Sequence, residues 1–273
     1  MTSHGHAFDY LVVLDFEATC DKPVQPKVRE VIEFPSVLLK LTESDDTQCE
    51  IIDQFQQYTT ANAKLTPFCT QLTGISQETV DSSGIPFGEA LENHTQWLIG
   101  HGLLDEVTRH PIKKFTFVTV GDWDLEKMII QQCETSGLNK SARPHFRSWI
   151  NLKLPCKDHL RQKEDSGQEG GSGKAAAGET KSSGGGDGGG GGGGGGRRRR
   201  QRKQPKGGND RGWGMKAMMA KLNVEMAEGT THHCGIDDCI NTAGIVQAMI
   251  KDGYKFTDVT GGDLTWLTQF QYM

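Results

Sequence analysis

The hydrophobic pattern of the first sixty residues predicts three successive strands. Residues 11–14 are four consecutive apolar side chains, which is typical of a strand buried on both faces. Residues 30–41 predict a second strand, in which Pro35 indicates a bulge or an edge position. Residues 50–58 alternate apolar and polar side chains, as in a strand with one solvated face. Because short turns can join consecutive strands, we expect an antiparallel meander.

Further along, helical and strand patterns alternate. Residues 66–104 contain two helical stretches, the first of which has Thr66 as its N-cap ahead of Pro67. Residues 114–120 predict a fourth strand that runs into a helix at 125–133. This alternation indicates an α/β domain with a mixed sheet. The remaining predicted elements are a fifth strand at 149–154 and helices at 156–162, 215–222 and 235–253.

Residues 164–210 interrupt this pattern with a Gly/Arg-rich segment that has almost no large apolar side chains. Residues 184–196 are all glycine except Asp187, so burial cannot offset the conformational entropy that ordering would cost. We therefore predict a single domain made of residues 1–163 and 211–273. Residues 164–210 are predicted to be a disordered low-complexity insertion.

Charge does not exclude a nucleic-acid partner. The net charge is −5, but residues 164–210 carry nine Lys and Arg against six Asp and Glu. The basic run at 197–203 is interpreted either as a solvated patch or as a segment for nuclear targeting or nonspecific phosphate contact.

Other features are typical of an intracellular protein. No apolar run approaches the roughly 20 residues that span a bilayer, and the polar start lacks a signal-peptide core. The seven cysteines include no CxxC pair, which indicates a reducing compartment. We expect a monomer in the cytoplasm, the nucleus or both, with no membrane partner.

Two carboxylates, Asp15 and Glu17, follow the apolar run at 11–14 directly. Because they are two residues apart on an extended chain, their side chains should emerge on the same face. A carboxylate at a buried strand is costly unless a cation compensates it. Oxygen ligands favour Mg²⁺ or Mn²⁺ over metals that prefer thiolates.

Further acids and two histidines also stand at predicted element ends. Two divalent ions about 3.5–4 Å apart need several carboxylates, and such pairs catalyse in-line phosphoryl displacement. A neighbouring histidine suits the role of general base. The pattern therefore supports metal-dependent hydrolysis of a phosphodiester. These additional residues are Asp122, Asp124, Asp237, Asp238, His232 and His233.

The chain resembles the DEDDh group of DnaQ-like 3′-5′ exonucleases, and in finer detail the enhanced-RNAi (Eri-type) exoribonucleases. The resemblance implies an RNase H-like fold, with a mixed five-stranded sheet flanked by helices. It rests on five segments in order: Asp15-Phe16-Glu17-Ala18-Thr19-Cys20, Leu72-Thr73-Gly74-Ile75, Gly121-Asp122-Trp123-Asp124, Trp149-Ile150-Asn151-Leu152 and His233-Cys234-Gly235-Ile236-Asp237-Asp238.

The resemblance implies that Asp15, Glu17, Asp124 and Asp238 hold two Mg²⁺ ions, for which Mn²⁺ can substitute. Glu17 would also bridge the metal and the terminal nucleotide, and His233 would deprotonate the attacking water. The implied activity is 3′-5′ hydrolysis of RNA that releases nucleoside 5′-monophosphates.

The resemblance also implies a substrate side of the site. Phe16, Ala18 and Thr19 would line the pocket for the last nucleotide. Trp123 and Leu125 could stack on or pack against its base, although a core position is an equal alternative for Trp123. The implied partner is single-stranded RNA or an RNA 3′ overhang.

Several alternatives remain beside these assignments. Asp122 and Asp237 are expected to solvate loops or stabilise helix ends rather than bind metal. His233 is preferred to His232 because of its spacing from Asp238, and His232 is expected to face solvent. The loop before His233 lacks the arginine that the family usually has there.

Other functions also stay open. A zinc site could in principle use His232, His233, Cys234 and Cys239, although their spacing fits no common pattern. The same fold could serve a DNA or short-oligonucleotide exonuclease, or an RNA-binding module without catalytic activity.

Overall fold

A mixed sheet forms the centre of the protein in a computed structural model that describes residues 5–42, 44–138, 144–168 and 212–262. Strands β1, β5 and β6 are parallel, and the other pairings are antiparallel. The predicted five-stranded mixed sheet is confirmed, with two further strands of two residues each. The strands are β1 (Tyr10–Leu14), β2 (Glu17–Ala18), β3 (Val31–Leu41), β4 (Cys49–Tyr58), β5 (Phe115–Thr119), β6 (Ser148–Asn151) and β7 (Gly261–Gly262).

Strand β1 is buried on both faces, as its apolar run predicts. Val12 and Leu14 belong to the core on one side of the sheet. Leu11 and Val13 belong to the core on the other side. All four side chains are at most 1% exposed, and successive side chains of a strand point to opposite faces. The four-residue run therefore contributes two side chains to each of the two cores.

Helices cover both faces of the sheet. Helices α3 and α4 contribute side chains to the core that contains Val12, whereas α5, α6 and α7 contribute to the core that contains Leu11. The helices are α1 (Pro67–Thr73), α2 (Gln77–Ser83), α3 (Phe87–Gly100), α4 (Ile129–Thr135), α5 (Lys153–Gln168), α6 (Met215–Leu222) and α7 (Gly235–Lys251).

The interval 66–104 forms three helices rather than the predicted two. Thr66 is the N-cap of α1, as predicted, and its side chain accepts a hydrogen bond from the main-chain N–H of Cys69. The predicted helix at 125–133 instead begins as a π-helical turn, Asp124–Met128, and continues as α4.

The predicted antiparallel meander of β1, β3 and β4 is confirmed, but Pro35 is not at an edge. Strand β3 is internal, with β4 on one side and both β1 and β2 on the other. Leu14 pairs with Ser36 and Glu17 pairs with Glu33. Pro35, which has no N–H to donate, thus lies opposite the gap between β1 and β2.

The N-terminal boundary predicted for the insertion is wrong, because helix α5 continues past it. The helix extends to Gln168, so residues 164–168 are helical rather than part of an unstructured segment. The rest of the predicted insertion, including the basic run at 197–203, lies outside the described residues. Among the helices that are described, none is long and apolar enough to span a membrane.

Candidate active site

Three carboxylates converge where the chain leaves β1. Asp15 stands in the gap between β1 and β2, Glu17 begins β2, and Asp238 lies in the first turn of α7. One carboxylate oxygen from each lies within 4.8 Å of the others. Elements far apart in the chain thus place three hard oxygen ligands close enough to share a cation.

Asp124 is attached to the same gap by a hydrogen bond. Its Oδ1 accepts the main-chain N–H of Phe16 at 3.0 Å. Asp124 is buried, and its charge raises the pKa of Asp15. Asp124 is outside the group of three acids with oxygens within 4.8 Å, although it adjoins that group.

The four carboxylates lie in an environment that disfavours their ionised forms. Burial, the largest cause, raises the pKa of Glu17 to about 8 and that of Asp124 to about 6. Burial also raises the pKa of Asp238, and it raises that of Asp15 well above its ordinary value. Repulsion between the carboxylates adds to the rise for Asp15 and Glu17. A bound cation would favour the ionised forms.

One atom of the group is buried without a hydrogen-bond partner. The Oδ1 of Asp238 accepts no hydrogen bond, whereas its Oδ2 accepts the main-chain N–H of His233 at 3.2 Å. A buried carboxylate oxygen left unpaired is costly. The donor set therefore fits a divalent cation.

The two histidines differ in their relation to Asp238. His233 has a left-handed backbone conformation, with φ of +65°, and its side chain is exposed. The ring Nδ1 of His232 lies 3.7 Å from Oδ1 of Asp238, and the side chain is only 21% exposed. The prediction that His232 faces solvent is therefore wrong, because its ring turns toward the acidic group.

The two other acids near the site are engaged in structural contacts. Asp122 accepts hydrogen bonds from the indole Nε1 of Trp149 and the amide of Asn151, both at 2.9 Å. Asp237 accepts the main-chain N–H of Thr231 at 2.8 Å. These contacts tie Asp122 to β6 and Asp237 to the loop that carries His232 and His233.

The predicted substrate side is mostly buried in this structure. Phe16, Ala18 and Thr19 are 4–8% exposed, and Leu125 is 2% exposed. Trp123 is half-buried and packs against the core on the Val12 side. The side chains of Phe16 and Leu125 also belong to that core, so their contribution to a nucleotide pocket would come largely from the adjoining backbone.

The predicted zinc alternative is not formed. Within the described ranges, oxygen, nitrogen or sulfur ligands of three or more such side chains converge only at Asp15, Glu17 and Asp238. Cys239 is fully buried, and its thiol donates to the carbonyl of Pro35 at 3.9 Å.

Sequence reasoning missed Glu33, a fully buried carboxylate on β3. It accepts the main-chain N–H groups of Gly235 at 3.1 Å and Ile236 at 3.3 Å, and the amide of Gln56 at 2.7 Å. Glu33 therefore fixes the start of α7, the helix that carries Asp238. An acidic residue inside an otherwise apolar strand pattern is the signal that could have identified it.

Comparisons with known proteins find similar exonucleases. The exonuclease family model RNase_T matches residues 12–170. The chain is 46% identical over 149 residues to "ERI1 exoribonuclease 3" of Homo sapiens. That match covers 54% of this chain and 40% of the relative, so the chain spans about two fifths of the relative's length.

Solved structures extend the similarity across the described fold. The nuclease domain of 3'hExo, a DEDDh family member bound to rAMP, has a TM-score of 0.67 at 26% identity. The alignment covers 96% of this chain and all of that domain. A structure of histone mRNA stem-loop recognition by a 3′-exonuclease has a TM-score of 0.67 at 25% identity, covering 96% of this chain and 70% of that one.

The first turn of α7 has no room for a side chain at Gly235. A Cβ there would lie 2.9 Å from both Oε2 of Glu33 and Cγ of Pro35. We predict that Gly235→Ala lowers the free energy of unfolding by about 1–3 kcal/mol in urea titrations. Gly244→Ala on the same helix is the control, because its Cβ would meet only Val224 at 3.7 Å. Equal stability of the two variants would contradict the prediction.

The raised pKa of Glu17 makes stability depend on pH in the metal-free protein. Its pKa rises from 4.5 in the unfolded chain to about 8 in the folded protein, because burial and neighbouring acids disfavour its charge. The folded state therefore binds more protons between these values, and the contribution to stability falls as pH rises. We measure the free energy of unfolding by urea titration with EDTA at pH 5 and pH 8. Between these pH values it should decline less in Glu17→Gln than in the wild type. Identical declines in the free energy of unfolding of the two proteins would refute the raised pKa of Glu17.

Proposed function

Because this chain belongs to the DnaQ-like DEDDh exonuclease family and resembles its Eri-type members, we propose that it is a 3′-5′ exoribonuclease. It would remove nucleotides from the 3′ end of single-stranded RNA or of an RNA 3′ overhang. Each hydrolysis breaks the bond between phosphorus and the 3′ oxygen of the preceding nucleotide. The released product is a nucleoside 5′-monophosphate.

The proposal is carried by one observation. The gap after β1, the start of β2 and the first turn of α7 bring carboxylate oxygens of Asp15, Glu17 and Asp238 within 4.8 Å of one another. Asp124 adjoins them through its hydrogen bond to Phe16. Clustered, buried carboxylates lower the stability of the folded protein. Cation binding therefore explains their presence better than a contribution to stability does.

The residues can be given separate roles. Asp15, Glu17, Asp124 and Asp238 would hold two Mg²⁺ ions, with Mn²⁺ as a substitute. When bound, these ions would polarise the scissile phosphate and lower the pKa of the attacking water. His233 would accept the proton of that water, and Glu17 would also contact the terminal nucleotide.

The substrate side of the proposal uses the residues around the gap after β1. Phe16, Ala18 and Thr19 would position the last nucleotide, mainly through their backbone groups. Trp123 and Leu125 would pack at its base, with Trp123 the more accessible of the two. We also propose that the protein acts as a monomer inside the cell, in the cytoplasm, the nucleus or both.

Removal of one acid should abolish turnover without unfolding the protein. We predict that Asp15→Asn and Asp238→Asn each lower the rate by about 100-fold or more, because they weaken cation binding at the scissile phosphate. The assay follows 5′-labelled single-stranded RNA in Mg²⁺, with circular dichroism to verify folding. Asp81→Asn, which removes an exposed acid from α2, is the control.

The same assay separates the alternatives. Shortening of the labelled RNA one nucleotide at a time, with release of 5′-monophosphates, is the expected result. Preference for DNA in competition would replace the RNA assignment with a DNA exonuclease. Binding of intact RNA in both Mg²⁺ and Mn²⁺ without cleavage would indicate an inactive binding module.

The histidine assignment has its own test. A general base typically increases the reaction rate by a factor of about 10²–10⁴, so His233→Ala should lower kcat by that factor. His232→Ala should lower kcat less, because its ring contacts Asp238 rather than serving as the base. A larger loss in His232→Ala than in His233→Ala would transfer the role of base to His232.

A further inference from the structure

A short stem holds Arg29 beside the predicted nucleotide pocket. The main-chain N–H of Thr19 donates to the carbonyl of Glu30 at 2.8 Å, and the N–H of Glu30 donates to Oγ1 of Thr19 at 2.9 Å. These two bonds continue the pairing of β2 with β3 by one position. Arg29 consequently stands at the end of this pairing, next to Thr19 and Cys20, which directly follow β2.

Helix α4 fixes the backbone on both sides of Glu30. The side-chain amide of Gln131 donates to the carbonyl of Arg29 at 2.9 Å. The side-chain oxygen of Gln132 accepts the main-chain N–H of Val31 at 2.8 Å. Arg29 is therefore positioned by the helix that directly follows the turn carrying Asp124.

The guanidinium of Arg29 lies over the indole of Trp123. Its Cζ is 5.2 Å from the ring centroid, a cation–π distance. Burial is the largest cause that raises the pKa of the nearby Cys20 thiol, and the charge of Arg29 opposes this rise. The positive charge thus lies over Trp123, the residue that precedes Asp124.

Arg29 is half-buried, and among the described residues its guanidinium has no acidic partner. In the described part of the chain, Arg109 pairs with Glu92 at 3.0 Å and Arg161 pairs with Asp158 at 2.5 Å, but no carboxylate forms an ion pair with Arg29. A guanidinium stacked on a ring keeps its N–H groups available at the edge. A fixed cation of this kind is suited to bind an anion from outside the protein.

The acidic group next to it makes such a cation useful. The carboxylates repel a polyanionic strand, so approach of the strand requires a compensating charge where its phosphates pass. Guanidinium groups bind phosphate with two parallel, charge-assisted hydrogen bonds. Arg29 is placed next to the strand end where the last nucleotide would lie.

We propose that Arg29 binds one phosphate of the RNA substrate close to its 3′ end. The inference rests on the proposed exonuclease function, and it adds a substrate-binding residue to it. Arg29 holds the strand in place and takes no part in the proton transfer. Its loss therefore weakens substrate binding more than it slows the chemical step.

The first experiment compares Arg29→Gln with Lys27→Gln, which removes an exposed charge from the same loop. A single-stranded RNA 12-mer is the substrate. We expect Arg29→Gln to raise KM about 10-fold with kcat within about twofold, since one charge-assisted contact is lost. The slope of the logarithm of the RNA binding constant against the logarithm of salt concentration should become less steep by about 0.7. This is the change expected for the loss of one phosphate contact to a single strand. Arg29→Lys should recover part of the affinity.

A second experiment locates the contact. Single methylphosphonate linkages, which are uncharged, are placed in turn along the 12-mer, and binding is measured by fluorescence anisotropy in EDTA. One linkage near the 3′ end should weaken wild-type binding about 10-fold and leave Arg29→Gln unaffected. This binding readout needs no turnover, so absence of cleavage by the wild type would refute the proposed function without deciding the role of Arg29.

The role of Arg29 would be overturned by either of two results. The first is binding and a salt slope in Arg29→Gln equal to those of Lys27→Gln. The second is weaker binding that no methylphosphonate position reproduces, which would indicate that Arg29 only supports Trp123. Thermal unfolding and tryptophan fluorescence of each variant would show whether the stem remains folded.

Discussion

The close packing of α7 against the gap between β1 and β2 is the contact on which the rest of the site depends. Gly235 approaches Glu33 and Pro35 so closely that no side chain fits between them. The two main-chain N–H groups bound by Glu33 then fix the helix axis relative to the sheet. Because Asp238 lies one turn along, its distance from Asp15 follows from that contact.

This arrangement concentrates negative charge where water is largely excluded. The pKa values of the clustered acids rise, since burial and mutual repulsion both oppose ionisation. Positive charges of Lys153 and Arg29 lie at its periphery. Burial raises the pKa of Asp124 and the charge of Lys153 opposes that rise, and Arg29 lies over Trp123. The centre is therefore suited to cations from solution, and the periphery to the phosphates of a strand.

Much of the fold was predictable because local patterns report burial directly. The apolar run of β1, the Thr66 cap and the bounds of α6 all agree with expectation. Pro35 was misread because an isolated strand pattern does not show where its neighbours end. A proline is tolerated inside the sheet here because β1 stops opposite it, leaving no partner for the missing N–H.

The sequence by itself determined the chemical types at the site, since acids after a buried strand and before a helix are visible in one dimension. Only the tertiary structure decided which side chains meet. It turned His232 toward Asp238, assigned Glu33 to the start of α7, and placed Arg29 over Trp123. The contacts of Glu33 and Arg29 join segments that are distant in the chain, and the contact of His232 depends on how the loop before α7 folds. None of these contacts is encoded in the spacing of a single motif.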